Sequence, residues 1–302
     1  MKAARYHEFG GPIVLEEVPV PVPGPGEVLV EVAATAHNPA DSAIRAGLLK
    51  EVFALELPHT PGVEVSGVIS ALGSGVESPT VGDAVVAYLP ATAPGAAAQY
   101  VVAPASVFAA APTSIPLVDA AAFPATALSA YQALFEHGEL QSGQRILVNG
   151  AGGAVGGYVV QLAVSAGAEV IATVSPDSAE RVASYSPSHV IDHTTSTLRD
   201  GFEGEVDIVV NVAPTPTDEL FDLIKAGGRL VSATTPVVSE PGRGITAVRM
   251  GTRPDAAQIE ILVRAIDAGE LTVWVGDRRP LEDINDVQAG RTAGKTILIS
   301  TT

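Results

Sequence analysis

Cysteine is absent from all 302 residues. Structural disulfides are thereby excluded, as are a thiolate nucleophile and any metal site built on cysteine sulfur. Bases are scarce: 17 Lys and Arg face 34 Asp and Glu, giving a formal net charge of −17. That balance cannot supply the run of phosphate contacts a nucleic acid demands, and an anionic membrane surface would repel it. Long apolar runs are missing as well. The Ala- and Val-rich stretches are broken by Pro, Gly and Asp well short of the roughly 20 residues of a membrane span. The opening, Met1-Lys2-Ala3-Ala4-Arg5-Tyr6-His7, lacks the apolar core of a secretory signal, so a soluble cytoplasmic protein is expected.

What is present suits a folded enzyme-sized chain. Hydrophobic residues make up 47% and charged residues 17%, which permits a sizeable core and two domains. Residues 1–118 read as short strands and turns, among them Val28–Ala33 after Pro23-Gly24-Pro25-Gly26, and Val63–Ile69. From 119 to 254 strands and helices alternate. Ala120–Leu134 reads as a helix and Arg145–Asn149 as a buried strand. Ala154–Ala166 is helical, Glu169–Val174 a strand and Ser178–Tyr185 a helix. Asp207–Val212, Thr217–Ile224 and Arg229–Ala233 repeat strand, helix, strand. Such alternation predicts a doubly wound parallel sheet, hence an α/β fold. Beyond Pro254-Asp255 a helix runs to about Ala268, followed by strands Leu271–Val275 and Thr296–Ser300. The expected division is a β-rich domain of residues 1–118 and 255–302, with a dinucleotide-binding domain of 119–254 inserted in it.

The strongest local signal is Ile146-Leu147-Val148-Asn149-Gly150-Ala151-Gly152-Gly153-Ala154-Val155-Gly156. A buried strand enters a Gly-rich turn and then an apolar helix. Against G-x-G-x-x-G the register is Ala151, Gly153, Gly156, with Ala in the first slot. Gly153 would let backbone approach a pyrophosphate, Gly156 would let the helix pack on the sheet, and the helix N-terminus would supply amides and partial positive charge. An NAD site usually carries Asp or Glu at the tip of the second strand. Here that tip reads Thr173-Val174-Ser175-Pro176, with Arg181 on the next helix. Ser175 can donate to a 2′-phosphate that a carboxylate would repel, which favours NADPH. Asp177 keeps NADH open, since a turn folded back would make it the ribose acid.

Together with outlying motifs, this loop resembles the zinc-independent quinone oxidoreductases of the medium-chain dehydrogenase/reductase family. The motifs include Asn38-Pro39-Ala40-Asp41 with Arg45 and Gly47, Pro61–Val68, Val81–Val85 and Ala97–Val102. Thr126–Leu134, Lys225–Val231 and Gly294–Leu298 complete the set. The resemblance implies a GroES-like β-rich catalytic domain beside a Rossmann domain, with the active site in the cleft between them. It implies hydride transfer from NADPH to a quinone, enone or other activated alkene, and a homodimer. By the same resemblance Asn38 and Asp41 lie near nicotinamide and substrate, and Thr126 faces the nicotinamide. Gly153, Ala154 and Val155 cradle the pyrophosphate, Ser175 meets the 2′-phosphate, and Asn211, Val212 and Ala213 line the nicotinamide side.

Departures accompany it. Leu48 and Leu49 stand where many relatives place a substrate-cleft Tyr, Ala179 replaces a common Lys, and His193 replaces a Tyr near the adenosine phosphate. His193 can still meet that phosphate when protonated. Zinc-using members keep His before the glutamate that corresponds to Glu64, whereas Val63 precedes it here, so no metal is expected. Other readings stay open for single residues: Asn38 before Pro39 suits a turn, Asp41 a helix N-cap, and Arg45 a salt bridge or cleft rim. Reduction of an enoyl thioester on a CoA or carrier protein is the nearest rival activity. A non-catalytic NADPH-binding protein is the rival of another class.

Overall fold

A computed structural model describes residues 1–237, 243–290 and 294–300. The chain forms two compact units, Met1–Ala125 with Arg253–Thr302, and Thr126–Thr252. No helix among the described residues is long and apolar enough to cross a membrane.

In chain order the first unit begins with β1 (Lys2–Arg5), β2 (Val14–Glu17), β3 (Glu27–Ala36) and helix α1 (Pro39–Arg45). Then come β4 (Glu64–Leu72), β5 (Ala84–Tyr88), β6 (Tyr100–Pro104), β7 (Phe108–Ala110) and the start of α2 (Pro124–Tyr131). The second unit carries β8 (Arg145–Asn149), α3 (Ala154–Ser165), β9 (Glu169–Val174), α4 (Pro176–Ala183) and β10 (His189–Asp192). It continues with β11 (Val206–Asn211), α5 (Asp218–Phe221), β12 (Ile224–Ser232) and β13 (Thr246–Arg249). The chain then returns to the first unit through α6 (Ala256–Asp267), β14 (Val275–Pro280), α7 (Ile284–Ala289) and β15 (Lys295–Ile299).

The first unit is built on a sheet in the order β14-β15-β3-β4-β5-β7, with β6 also pairing with β3. Its core joins Val28, Val30, Val32, Val65, Ile69 and Leu89. β-branched side chains dominate because they fit a pleated surface covered on one side. The second unit holds a parallel sheet in the order β10-β9-β8-β11-β12-β13. Its central strands β8, β9 and β11 are almost wholly buried, as parallel strands covered by helices must be. The α/β class and the doubly wound sheet expected from the sequence are both present.

Three elements differ from expectation. The helix expected over Ala120–Leu134 is a 3₁₀ turn at Asp119–Ala122, then α2, then a π-helical turn at Gln132–His137. Pro124, which lacks an N–H, forces the restart and sits where a first turn tolerates it. The helix expected over Thr217–Ile224 shrinks to the single turn of α5. The link from Asn211 to Ile224 is short and spends residues on Pro214 and Pro216. The strand expected at Leu271–Val275 instead starts at Val275. Its partner β15 begins at Lys295, the residue that faces Val275, so earlier residues have no ladder to join.

Candidate functional site

The strand order of the second unit reverses between β8 and β11, the place where open α/β sheets bind ligands. There Asn149 and Asn211 face each other in register at the strands' C-terminal ends. Both are buried, and the Asn149 Nδ2 donates to Asn211 Oδ1 at 2.9 Å and to Thr215 Oγ1 at 2.8 Å. The Thr173 hydroxyl donates to Asn149 Oδ1 at 3.0 Å and accepts the Gly150 N–H at 2.8 Å. Asn211 Nδ2 in turn donates to the Thr215 carbonyl at 3.1 Å and to Thr235 Oγ1 at 3.0 Å. Every member is neutral. A fully connected network of this kind fixes the loops that leave β8 and β11 without placing a charge beneath them. Above it lies a pocket of about 560 Å³, lined by Asn149, Thr173, His193, Arg199, Ala213 and Thr215 among others.

The Gly-rich turn enters this site from β8. Gly150 takes a positive φ of 98°, which an L side chain would strain. A Cβ on Gly156 would stand 2.2 Å from the Gly150 carbonyl oxygen, so only glycine lets α3 close on the turn. A Cβ on Gly153 would meet that same oxygen at 3.4 Å, an ordinary contact. Gly153 is the N-cap of α3 and is exposed, while Ala151 is buried beneath it. The amides of Ala154, Val155 and Gly156 occupy the first turn, where a helix leaves its donors without internal acceptors. An anionic group such as a pyrophosphate fits this cradle.

At the tip of β9, Ser175 caps α4 and shares a hydroxyl pair with Ser178 at 3.3 Å. His193 follows β10 directly, and its N–H donates to the Val174 carbonyl at 3.1 Å, so it stands beside that tip. Arg181 lies on α4, which follows that tip. Its guanidinium donates to the Gly152 carbonyl at 2.6 Å, holding the Gly-rich turn against α4. The base that lines the pocket is Arg199, which the sequence did not single out. Val212 donates its N–H to the Asn149 carbonyl at 2.9 Å, and the Ala213 carbonyl accepts the Thr234 hydroxyl at 2.5 Å. Thr126 lies buried on α2.

The first unit carries a second polar cluster of opposite character. Asn38 is the N-cap of α1, and the Asp41 carboxylate accepts the Asn38 N–H at 2.8 Å. Asp41 is thus the third helical residue reaching back, rather than the cap itself. The Asn38 Nδ2 donates to Glu64 Oε2 at 2.8 Å, and Lys295 Nζ donates to Asn38 Oδ1. Lys295 is also ion-paired to Glu64, and the two side chains are 3% and 0% exposed. The second oxygen of Glu64 accepts the Ala125 N–H at 2.8 Å. Tyr88 faces Glu64 across the β4–β5 ladder.

Burial and charge reshape titration here. Burial, with Glu64 adding repulsion, pushes the Asp41 carboxyl up to about 6 against the pull of Lys295 and the Asn38 N–H. Burial first, then Lys295 and Arg45, push His37 down to about 4. Burial, Glu64 and Asp41 push the Tyr88 phenol up to about 12, so it stays a donor at any physiological pH. Arg45 makes no salt bridge among the described residues; it donates to the Gly11 carbonyl at 2.8 Å. Leu48 is 77% exposed, whereas Leu49, Phe53 and Tyr88 are half-buried.

Sequence reasoning did not assign roles to Lys295, Asn149, Thr173 or Arg199. For Lys295 a signal existed: it is one of only four lysines and opens the apolar run Thr296-Ile297-Leu298-Ile299.

Known families match two stretches of the chain. Residues 24–113 match the alcohol dehydrogenase GroES-like domain, and residues 187–298 match the zinc-binding dehydrogenase family. A chloroplast envelope quinone oxidoreductase homolog of Arabidopsis thaliana is 30% identical, the match covering 99% of this chain and 98% of that protein. The chain belongs to the quinone oxidoreductases of the medium-chain dehydrogenase/reductase family. Solved structures agree on the fold of this quinone oxidoreductase relative. An alcohol dehydrogenase superfamily protein of Novosphingobium aromaticivorans matches with a TM-score of 0.88 at 26% identity, covering 99% of both chains. A mycobacterial protein solved in complex with NADPH matches with a TM-score of 0.85 at 29% identity, also over 99% of both. Membership makes the protein an oxidoreductase of a small-molecule substrate in a family that binds a nicotinamide cofactor. Among the described residues no three His, Asp or Glu side chains are grouped to hold a metal.

Proposed function

We propose that the protein reduces a quinone or another α,β-unsaturated carbonyl with NADPH and without a metal. The observation that carries this reading is the pocket at the β8–β11 reversal. Its floor is neutral, the strand tip beside it ends on Ser175 instead of an acid, and its lining includes His193 and Arg199. A dinucleotide with a 2′-phosphate suits that set better than one with a free ribose hydroxyl. The mycobacterial neighbour solved with NADPH supports the same choice.

Bound there, NADPH supplies the hydride. The first-turn amides of α3 would hold its pyrophosphate, Ser175 would donate to the 2′-phosphate, and His193 and Arg199 would balance its charge. Thr126, Asn211, Val212 and Ala213 would line the nicotinamide. Reduction of such a substrate builds negative charge on its carbonyl oxygen. The Asn38 carboxamide donates a hydrogen bond to that oxygen, which is where preorganised donors lower a barrier most. Asp41 fixes Asn38 through its backbone N–H.

A zinc centre does not fit these residues. There is no cysteine, Val63 precedes Glu64, and both Glu64 oxygens are already engaged by Lys295, Asn38 and Ala125. The outer edge of β13 has no partner strand among the described residues, and we read it as the dimer edge. Light scattering tests that point; a monomer would remove it.

The test of function is loss of reduced-nicotinamide absorbance with a naphthoquinone, a linear enone, a 2-alkenal and an enoyl thioester, run with NADPH and with NADH. Turnover of a quinone or enone with NADPH in preference to NADH is expected. Turnover of the thioester alone would make the protein an enoyl reductase. Tight NADPH binding with no turnover of any substrate would favour a binding protein.

A further inference from the structure

The chain has four asparagines, Asn38, Asn149, Asn211 and Asn285, and only Asn149 precedes a glycine. That pairing is chemically vulnerable. The backbone nitrogen of the following residue can attack the asparagine side-chain carbonyl carbon, and glycine, with no Cβ, shields its nitrogen least. The new N–Cγ bond closes a five-membered succinimide as the Cγ–Nδ2 bond breaks. The proton lost by the backbone nitrogen leaves with ammonia. Water then opens the ring at either carbonyl, so the product is aspartate or isoaspartate, and no oxidant or reductant takes part. Asn149 lines the pocket at the β8–β11 reversal and is 4% exposed, so the new negative charge would arise where burial makes it costly.

The folded chain ties up the atoms this reaction needs. The Gly150 N–H, whose proton must go, is held by the Thr173 hydroxyl at 2.8 Å, and that hydroxyl donates onward to Asn149 Oδ1 at 3.0 Å. Thr173 therefore turns the attacking N–H and the carboxamide it would attack toward itself. Asn149 Nδ2 is anchored on Asn211 Oδ1 and Thr215 Oγ1, so the leaving group is engaged as well. The Asn149 backbone carbonyl accepts the Val212 N–H at 2.9 Å, and Asn149 itself closes β8. We infer that Asn149 is a deamidation site held latent by this network, with Thr173 as its guard, and that loss of ammonia there disables the cofactor site. Aspartate at 149 turns an oxygen that only accepts toward the Asn211 oxygen, which also only accepts. The Asn211 amide has no freedom to turn round, because its Nδ2 is committed to the Thr215 carbonyl and Thr235 Oγ1. The charge also lies next to the Gly-rich turn; its effect on cofactor binding rests on the proposed role of that turn.

The test is the rate of deamidation of the full chain in warm, mildly alkaline buffer. Peptide mass spectrometry reads the mass gain from amide to acid at Asn149, and enzymatic methylation counts isoaspartate. The folded wild type should react roughly 100-fold more slowly than the same chain in denaturing urea. Thr173→Val should speed the folded rate about 10-fold, the effect of one lost hydrogen bond on local opening. Ile224→Val, at the far end of the same parallel sheet, lowers stability without touching the network and should leave the rate nearly unchanged. Asn149→Asp, which makes one product directly, should bind NADPH at least roughly 10-fold more weakly. Aged Thr173→Val should lose NADPH affinity in step with its mass gain. Deamidation of the folded wild type as fast as in urea overturns the inference. So does a Thr173→Val rate no higher than wild type, or an equal acceleration by Ile224→Val. Wild-type NADPH affinity in Asn149→Asp and in the aged chain overturns the claim that the site is disabled. A fresh wild type that binds no NADPH overturns the proposed cofactor role instead, and the deamidation rates alone then decide whether Thr173 is a guard.

Discussion

The two units each bury a polar cluster, but they build it from different chemistry. In the second unit Asn149, Asn211, Thr173, Thr215 and Thr235 satisfy one another with no charged member. In the first, Asn38 is held by a lysine and a glutamate, with Asp41 against its backbone. A neutral network shapes a floor and leaves phosphate recognition to helix amides and rim bases. A charged network costs more to desolvate than a neutral one.

Breaking each cluster should expose the difference, and the largest effect falls on the charged one. Lys295→Met alone strands the Glu64 carboxylate in the interior and should cost roughly 3–5 kcal/mol in urea unfolding. Thr173→Val in the neutral cluster leaves one amide short of a donor and should cost about 1–3 kcal/mol. Equal losses would erase the distinction.

The next effect concerns the Gly-rich turn. Gly156→Val forces a side chain onto the Gly150 carbonyl and should weaken NADPH binding roughly 10- to 100-fold, together with about 1–3 kcal/mol of stability. Gly153→Ala should weaken NADPH while the melting temperature barely moves, because its Cβ finds room in the folded chain. Fluorescence titration beside thermal melting separates the two.

Acidity sharpens the comparison further. Asp41 holds its proton up to about pH 6, well above an unfolded carboxyl near 3.8. Its favourable contribution is therefore complete below pH 3.8 and is lost as pH rises through 6. Asp41→Asn should gain on the wild type over that window, by about 3 kcal/mol. His37, held down to about 4, acts in the opposite sense: its contribution is complete above 6.5 and fades as pH falls toward 4. A His37→Asn variant should gain at the acid end. Asn149→Ala has no titrating partner in its network, so its deficit should stay flat across the same range in denaturant titrations.

The smallest expected effect is at the strand tip. Ser175→Ala should weaken NADPH about 10-fold and leave NADH unchanged. Equal weakening of both would mean that Ser175 merely caps α4.

Much of this was legible before any coordinates. Periodicity marked the alternating strands and helices, and the run from Asn149 to Gly156 located the turn because its signals are adjacent in sequence. Asn38 was visible through its motif. Its jailers were not: Lys295 lies 257 positions away, and only the pairing of β15 with β3 brings it near. Spacing put Arg181 on α4 but could not show its guanidinium bonded to the Gly152 carbonyl. The strand expected at Leu271–Val275 failed because a strand needs a partner, and β15 starts only at Lys295.

The account's central claim is that the neutral cluster serves the cofactor while the charged one serves the chemistry. The NADPH dissociation constant of Asn211→Ala, measured beside that of Asn38→Ala, tests it most directly. Asn211→Ala should bind NADPH roughly 10-fold more weakly through loss of a buried network, and Asn38→Ala should bind it as the wild type does. Weaker binding in Asn38→Ala, with Asn211→Ala unaffected, would contradict the account.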